Sequence, residues 1–334
     1  MPASRSARAP LGTIAGALVS FLALLVAIWL AAAHFEVLET TGGSRATFVL
    51  SFALLAAPFW AFGFGAAEPL QRWLQNRWLR VLAPGLLVSS YFVFSLPRGE
   101  FHWRYFFALA GIPIVVAALL EFFTHPAPEG RITLECADLI ALALLGVPIV
   151  MRWLHGAYPH PALSAMPKLL LTDAALYGFL VVRGLEDVGY DLRPHWRDLA
   201  IGLRELLFFA PFGIGLGFAL HFIGFERRMP SLWAFCAAWI TTFILIAIPE
   251  ELFFRGILLN LLERRVGPRA ALLLSAVLFG LSHFNKRAVF NWRYVILATI
   301  AGIFYGRAWR DRRRLFCSGI THSTVDVIWG TWFK

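Results

Sequence analysis

The chain has 334 residues, of which 59% are hydrophobic and only 15% charged, with a formal net charge of +10 and a mean hydropathy of +0.68. A soluble domain of this length is closer to a quarter charged, so a water-soluble globule is excluded. Nucleic acid is not the expected partner of the positive charge, because the basic residues are scattered through loops between apolar runs, as the positive-inside pattern requires. Phospholipid headgroups are.

Apolar runs near the roughly 20 residues needed to cross a bilayer as a helix recur along the whole length. In chain order they fall at about 11–33, 46–67, 81–96, 105–123, 137–154, 168–183, 205–225, 232–262, 270–287, 294–309 and 315–332. The expected fold is all-α, a polytopic transmembrane helical bundle of about 10–11 spans. The runs are continuous rather than alternating, which argues against a barrel. The first run follows Arg5 and Arg8 and is too long for a signal peptide's apolar core, so it reads as a retained span.

Gly, Pro and charge separate the runs at Pro97-Arg98-Gly99-Glu100, 126–130, 155–161 and 186–198. The longest polar interval, 183–204, divides the chain into a membrane module of about six spans over 1–186 and a second domain over 187–334. Residues 198–205 read as a membrane-surface helix feeding the seventh span. As one helix, 231–264 would be nearly 50 Å long at about 1.5 Å per residue, so it must tilt, bend near Pro249 or leave the bilayer. Cys136, Cys236 and Cys317 are too far apart for a disulfide framework or a Cys-type metal site. Lys occurs only at 168, 286 and 334 among 30 Lys and Arg, a skew consistent with a GC-rich bacterial genome.

Three short patterns in the second domain carry chemistry. Glu250-Glu251-x-x-x-Arg255 sits within an apolar stretch, where each charge costs roughly 2.5–3.5 kcal/mol to insert. Helical spacing puts Glu251 and Arg255 on one face as an ion pair. Glu250 is then rotated about 100° away, free for proton chemistry. Phe279-x-x-x-His283 and His322-x-x-x-Asp326 follow on two later helices.

Together they could bring Glu250, His283, His322 and Asp326 to a common depth. A carboxylate beside an imidazole in low dielectric can activate a water, and a second imidazole with a further polar group can stabilise an oxyanion. The same four residues could equally hold a divalent metal such as Zn²⁺ with an open position. No H-E-x-x-H or G-x-S-x-G pattern is present, which disfavours a zincin or an elbow-type serine nucleophile.

These residues resemble the CPBP family of intramembrane proteases, which includes the type II CAAX prenyl endopeptidases and bacterial ABI-type proteins. The family's motifs E-E-x-x-x-R, F-x-x-x-H and H-x-x-x-N match in order, over about residue 187 to the C-terminus. The resemblance implies an intramembrane endopeptidase in which Glu250 and His283 activate the water. It implies that His322 and position 326 stabilise the oxyanion, while Glu251, Arg255 and Phe279 support the site. Asp326 departs from the family's Asn, and an ionised Asp cannot donate to an oxyanion.

The expected substrate is a membrane protein or a lipidated or peptide substrate in the bilayer. The expected location is a bacterial inner membrane with a cytoplasmic N-terminus. The alternative from another class is a non-enzymatic polytopic protein, a transporter or a scaffold with a degenerate site. A transporter predicts broken helices in two corresponding halves, whereas the intramembrane charges here concentrate in one.

Overall fold

Lipid cannot hydrogen-bond a peptide group, so a chain this apolar must satisfy its backbone within each segment, and it does so as helices. The computed structural model describes residues 11–32, 45–125, 132–159, 163–286 and 290–333. Arg5, Arg8, Lys334, the interval 126–130, Pro161 and the ends of the runs at 33 and 287 lie outside them.

The helices are α1 (Leu11–Ala31), α2 (Arg45–Gly63), α3 (Ala67–Trp73), α4 (Arg77–Arg98), α5 (Trp103–Phe122), α6 (Cys136–Val150) and α7 (Ala165–Val182), then α8 (Trp196–Ala219), α9 (Leu232–Val266), α10 (Pro268–Leu281), α11 (Trp292–Arg312) and α12 (Leu315–Trp332). The described residues contain no strand. Each expected run coincides with one of these helices, and the protein is an all-α, multi-pass membrane bundle.

Seven of the helices are long and apolar enough to cross a bilayer, namely α1, α2, α4, α5, α7, α8 and α9, while α6 and α10 are apolar but shorter. The last two helices carry more polar residues and meet neighbours instead of lipid, so Trp309, Cys317 and Thr321 are fully buried. By contrast, Leu18, Val19 and Leu22 of α1 are exposed, as a lipid-facing helix requires.

One sequence expectation changes. Residues 198–205 do not form a separate surface helix; they are the first turns of α8. Asp198 and Glu205 are fully buried there. Arg312 and Arg314 reach Asp198 at 3.1 and 3.0 Å, and Arg204 and Arg307 reach Glu205 at 2.8 and 3.0 Å. A carboxylate with two guanidinium partners can be buried where a lone one cannot.

The long stretch around Pro249 stays helical across 35 residues without a break. It widens into π turns at Phe243–Ala247 and Leu252–Leu259, on either side of Ile248–Glu251. Pro249 has no N–H to give the preceding turn, and a π insertion is a way to absorb such a defect.

The interval after α7 is stitched to both sides. Arg183 pairs with Asp138 at 3.0 Å and Glu135 at 2.9 Å. Tyr190 Oη donates to the Phe59 carbonyl at 2.8 Å, and Arg314 pairs with Asp191 at 2.8 Å. Burial pushes the Asp191 carboxyl up, but hydrogen bonds from Arg193 and Arg314 outweigh it and hold the group below its usual range. Gly189 lies at φ +76°, and a Cβ there would come within 2.1 Å of the Arg313 carbonyl oxygen. Only glycine allows that crossing without strain.

Candidate functional site

The two adjacent glutamates point to different neighbours. Glu251 is fully buried, and one of its oxygens accepts from Arg255 Nη1 at 2.9 Å and from His322 Nδ1 at 2.8 Å. Arg255, equally buried, donates from Nη2 to the Gly302 carbonyl on α11 at 3.1 Å. Its guanidinium lies 4.3 Å over the Phe279 ring and 5.2 Å from the Tyr305 ring. Ion pair, hydrogen bond and ring faces together compensate a charge that would otherwise be costly in this interior. Glu251 thereby ties α9 to α12, and Arg255 ties α9 to α10 and α11.

Glu250 faces the other way. Its Oε1 lies 2.8 Å from Lys168 Nζ on α7 and 3.9 Å from Lys286 Nζ. Its Oε2 accepts no hydrogen bond among the described residues and lies 3.8 Å from His322 Nε2.

The two imidazoles have assignable protons. His283 Nδ1 is 2.8 Å from the Phe279 carbonyl, which can only accept, so Nδ1 carries the hydrogen and Nε2 keeps its lone pair. His322 Nδ1 donates to the Glu251 carboxylate on the same reasoning. Its ring stacks on Tyr305 with centroids 4.7 Å apart and planes 18° apart. Asp326 Oδ2 is 3.5 Å from His322 Nε2, on the cavity side.

The shorter bond that holds His322 therefore runs to Glu251, 71 residues away, while its i,i+4 neighbour Asp326 approaches the other ring nitrogen at 3.5 Å. Phe279 packs between these groups, with ring centroids 4.8 Å from His283 and 5.6 Å from His322. The next residue is Gly280, where a Cβ would meet the Val295 carbonyl oxygen at 2.6 Å. Glycine lets α10 approach α11 closely and sets the depth of both Phe279 and His283.

Two cavities meet this cluster. One of about 330 Å³ is lined by His283, His322, Asp326, Tyr294, Tyr305 and Phe279, with apolar residues of α8. The other, about 720 Å³, lies between α6, α7, α9 and α10 and is lined by Glu250, Lys168, Lys286 and Arg152 within a largely apolar wall. His322 is thus brought to Glu250, Glu251 and Asp326, and His283 shares its cavity with His322 and Asp326. Glu250 and His283 share no hydrogen bond among the described residues and open to different cavities. Lys168, Lys286 and Tyr305 were not among the residues singled out from sequence. The scarcity of lysine was the available signal for the first two.

The possible metal set does not assemble. Among the described residues no three His, Cys, Asp or Glu side chains converge as ligands. The Nδ1 atoms of His283 and His322 are engaged by Phe279 and Glu251, which leaves each Nε2 available, but the Glu250 carboxylate is held by an ammonium, whose charge opposes a cation. With the Lys168 ammonium on Glu250 and no third ligand converging among the described residues, the set does not fit a bound divalent ion.

Residues 231–328 match the family described as type II CAAX prenyl endopeptidase Rce1-like. That stretch is similar to the Rce1-like peptidases. It contains Glu250, Glu251, Arg255, Phe279, His283, His322 and Asp326. The Rce1-like family is one of peptidases, which favours an enzyme over a transporter or scaffold. No curated protein and no solved structure matches the chain.

Proposed function

We propose that the chain is an intramembrane endopeptidase that hydrolyses a peptide bond of a membrane-associated, lipidated substrate, using a water activated at Glu250 and His283. The observation that carries this reading is the state of Glu250. Its Oε1 is occupied by Lys168, while Oε2 is buried, without a donor among the described residues, and 3.8 Å from His322 Nε2. A buried acceptor of this kind calls for a partner, and a water poised there would meet a base.

In this reading the water oxygen attacks the carbonyl carbon as its proton passes to Glu250 Oε2. The C–N bond then breaks, and the nitrogen takes that proton, which restores the carboxylate. His322 Nε2 lies between two carboxylates, Glu250 and Asp326, so with Nδ1 given to Glu251 the ring donates to the oxyanion from Nε2 as an imidazolium. Asp326 orients His322 and makes no direct contribution to the oxyanion. His283 Nε2, with its lone pair free, helps to orient the water. Residues 1–186 are an accessory module packed against the peptidase domain, and the Arg-rich end at Arg264, Arg265 and Arg310–Arg314 faces the cytoplasm by the positive-inside rule.

The test is product mapping. Full-length protein in liposomes is incubated with an internally quenched farnesylated peptide ending in a CAAX sequence. Mass spectrometry is expected to find one cleaved bond on the C-terminal side of the prenylated cysteine. Recovery of intact peptide, with the protein folded, would contradict the prenyl-endopeptidase reading.

A further inference from the structure

Lys168 stands on α7, well outside the stretch 231–328 that matches the peptidase family, yet its Nζ is 2.8 Å from Glu250 Oε1. The chain has only three lysines among 30 cationic side chains, and two of them, Lys168 and Lys286, approach the same carboxylate oxygen. The choice of lysine has a physical consequence. A guanidinium is a planar fork that tends to take both oxygens of a carboxylate, whereas an ammonium is a point charge that can take one. At Glu250 the ammonium takes Oε1 and leaves Oε2 clear.

The N-terminal helices also brace the segment that carries the second lysine. Arg152 donates to the Asn285 carbonyl at 2.9 Å, and Asn285 Nδ2 donates to the Val150 carbonyl at 3.4 Å, immediately before Lys286. On α6, Gly146 makes room for Phe253 of α9, since a Cβ there would lie 2.9 Å from the ring tip. The contact that delivers Lys168 is therefore a built interface along one wall of the 720 Å³ cavity.

We propose that Lys168 is a positioning residue of the peptidase site, supplied from outside the family domain, which holds Glu250 by one oxygen so that the other faces the water. This rests on the reading of Glu250 as the base. In low dielectric, losing one hydrogen bond to a charged group typically costs roughly ten- to a hundredfold in an equilibrium or rate. Lys168→Ala is therefore expected to lower kcat on the farnesylated peptide by roughly that factor, with KM within about twofold of the wild type.

Methylammonium, small enough to enter the cavity, is expected to restore part of the lost kcat. A lysine that only supported the fold would lower the amount of active protein and would not respond to added amine. Wild-type kcat in Lys168→Ala, or a loss confined to KM, would overturn the proposal. Glu250→Gln, measured alongside, separates the two readings. If it turns over normally, the assignment of the base fails; if it is inactive while Lys168→Ala is normal, only the role of Lys168 fails. Unfolding temperatures of Lys168→Ala, Glu250→Ala and their double variant give a readout independent of turnover. Non-additive shifts are expected for a direct pair, and additive shifts would overturn it.

Discussion

Arg255→Met is expected to destabilise the protein by about 3–5 kcal/mol, because it leaves the Glu251 carboxylate buried without its cation. Every other partner of Arg255 points to the same outcome. The substitution also loses the hydrogen bond to Gly302 and the stack over Phe279, so α9 is released from α10 and α11 together. Glu251 would still hold His322, but with one partner where it had two, and fully buried. Thermal unfolding of the detergent-solubilised protein and its accumulation in membranes both report the effect. A variant that accumulates and melts like the wild type would contradict the structural role given to Arg255.

Glu250→Gln is expected to do the reverse. The amide keeps the size of the side chain and can still accept from Lys168, so folding is preserved. What is lost is the group that accepts the proton of the water, and removal of a positioned base typically lowers a rate by roughly 10²–10⁴-fold. Initial rates on the farnesylated peptide, normalised to folded protein, check this. Near-normal turnover would mean that the carboxylate is not the base. The contrast between the neighbours is the informative part, since one substitution removes stability and the other removes turnover.

Much of this was legible in the sequence for reasons that can be named. A bilayer leaves a hydrophobic chain few alternatives to helices, so the runs marked the bundle directly. The helical spacing of Glu251 and Arg255 put them on one face, and the structure has them 2.9 Å apart. What was not legible depends on contacts between distant segments. Lys168 and Glu250 are 82 residues apart, and no periodicity links them.

Asp198 and Glu205 looked like surface charges because their partners, Arg307, Arg312 and Arg314, lie on α11 and the turn after it, which only the fold brings near. The π turns around Ile248–Glu251 escaped a reading that assumes 3.6 residues per turn. Asp326 was paired with His322 by spacing, whereas the fold gives the stronger bond to Glu251.

The most demanding point is that Glu250 and His283 open to different cavities and yet are assigned to one water. The direct measurement is kcat/KM for Glu250→Gln, His283→Ala and the double variant on the farnesylated peptide, each per folded molecule. Groups that act on one step as a unit are strongly non-additive. The double variant is therefore predicted to be no slower than the slower single variant. Losses that multiply would contradict a single hydrolytic site containing both residues.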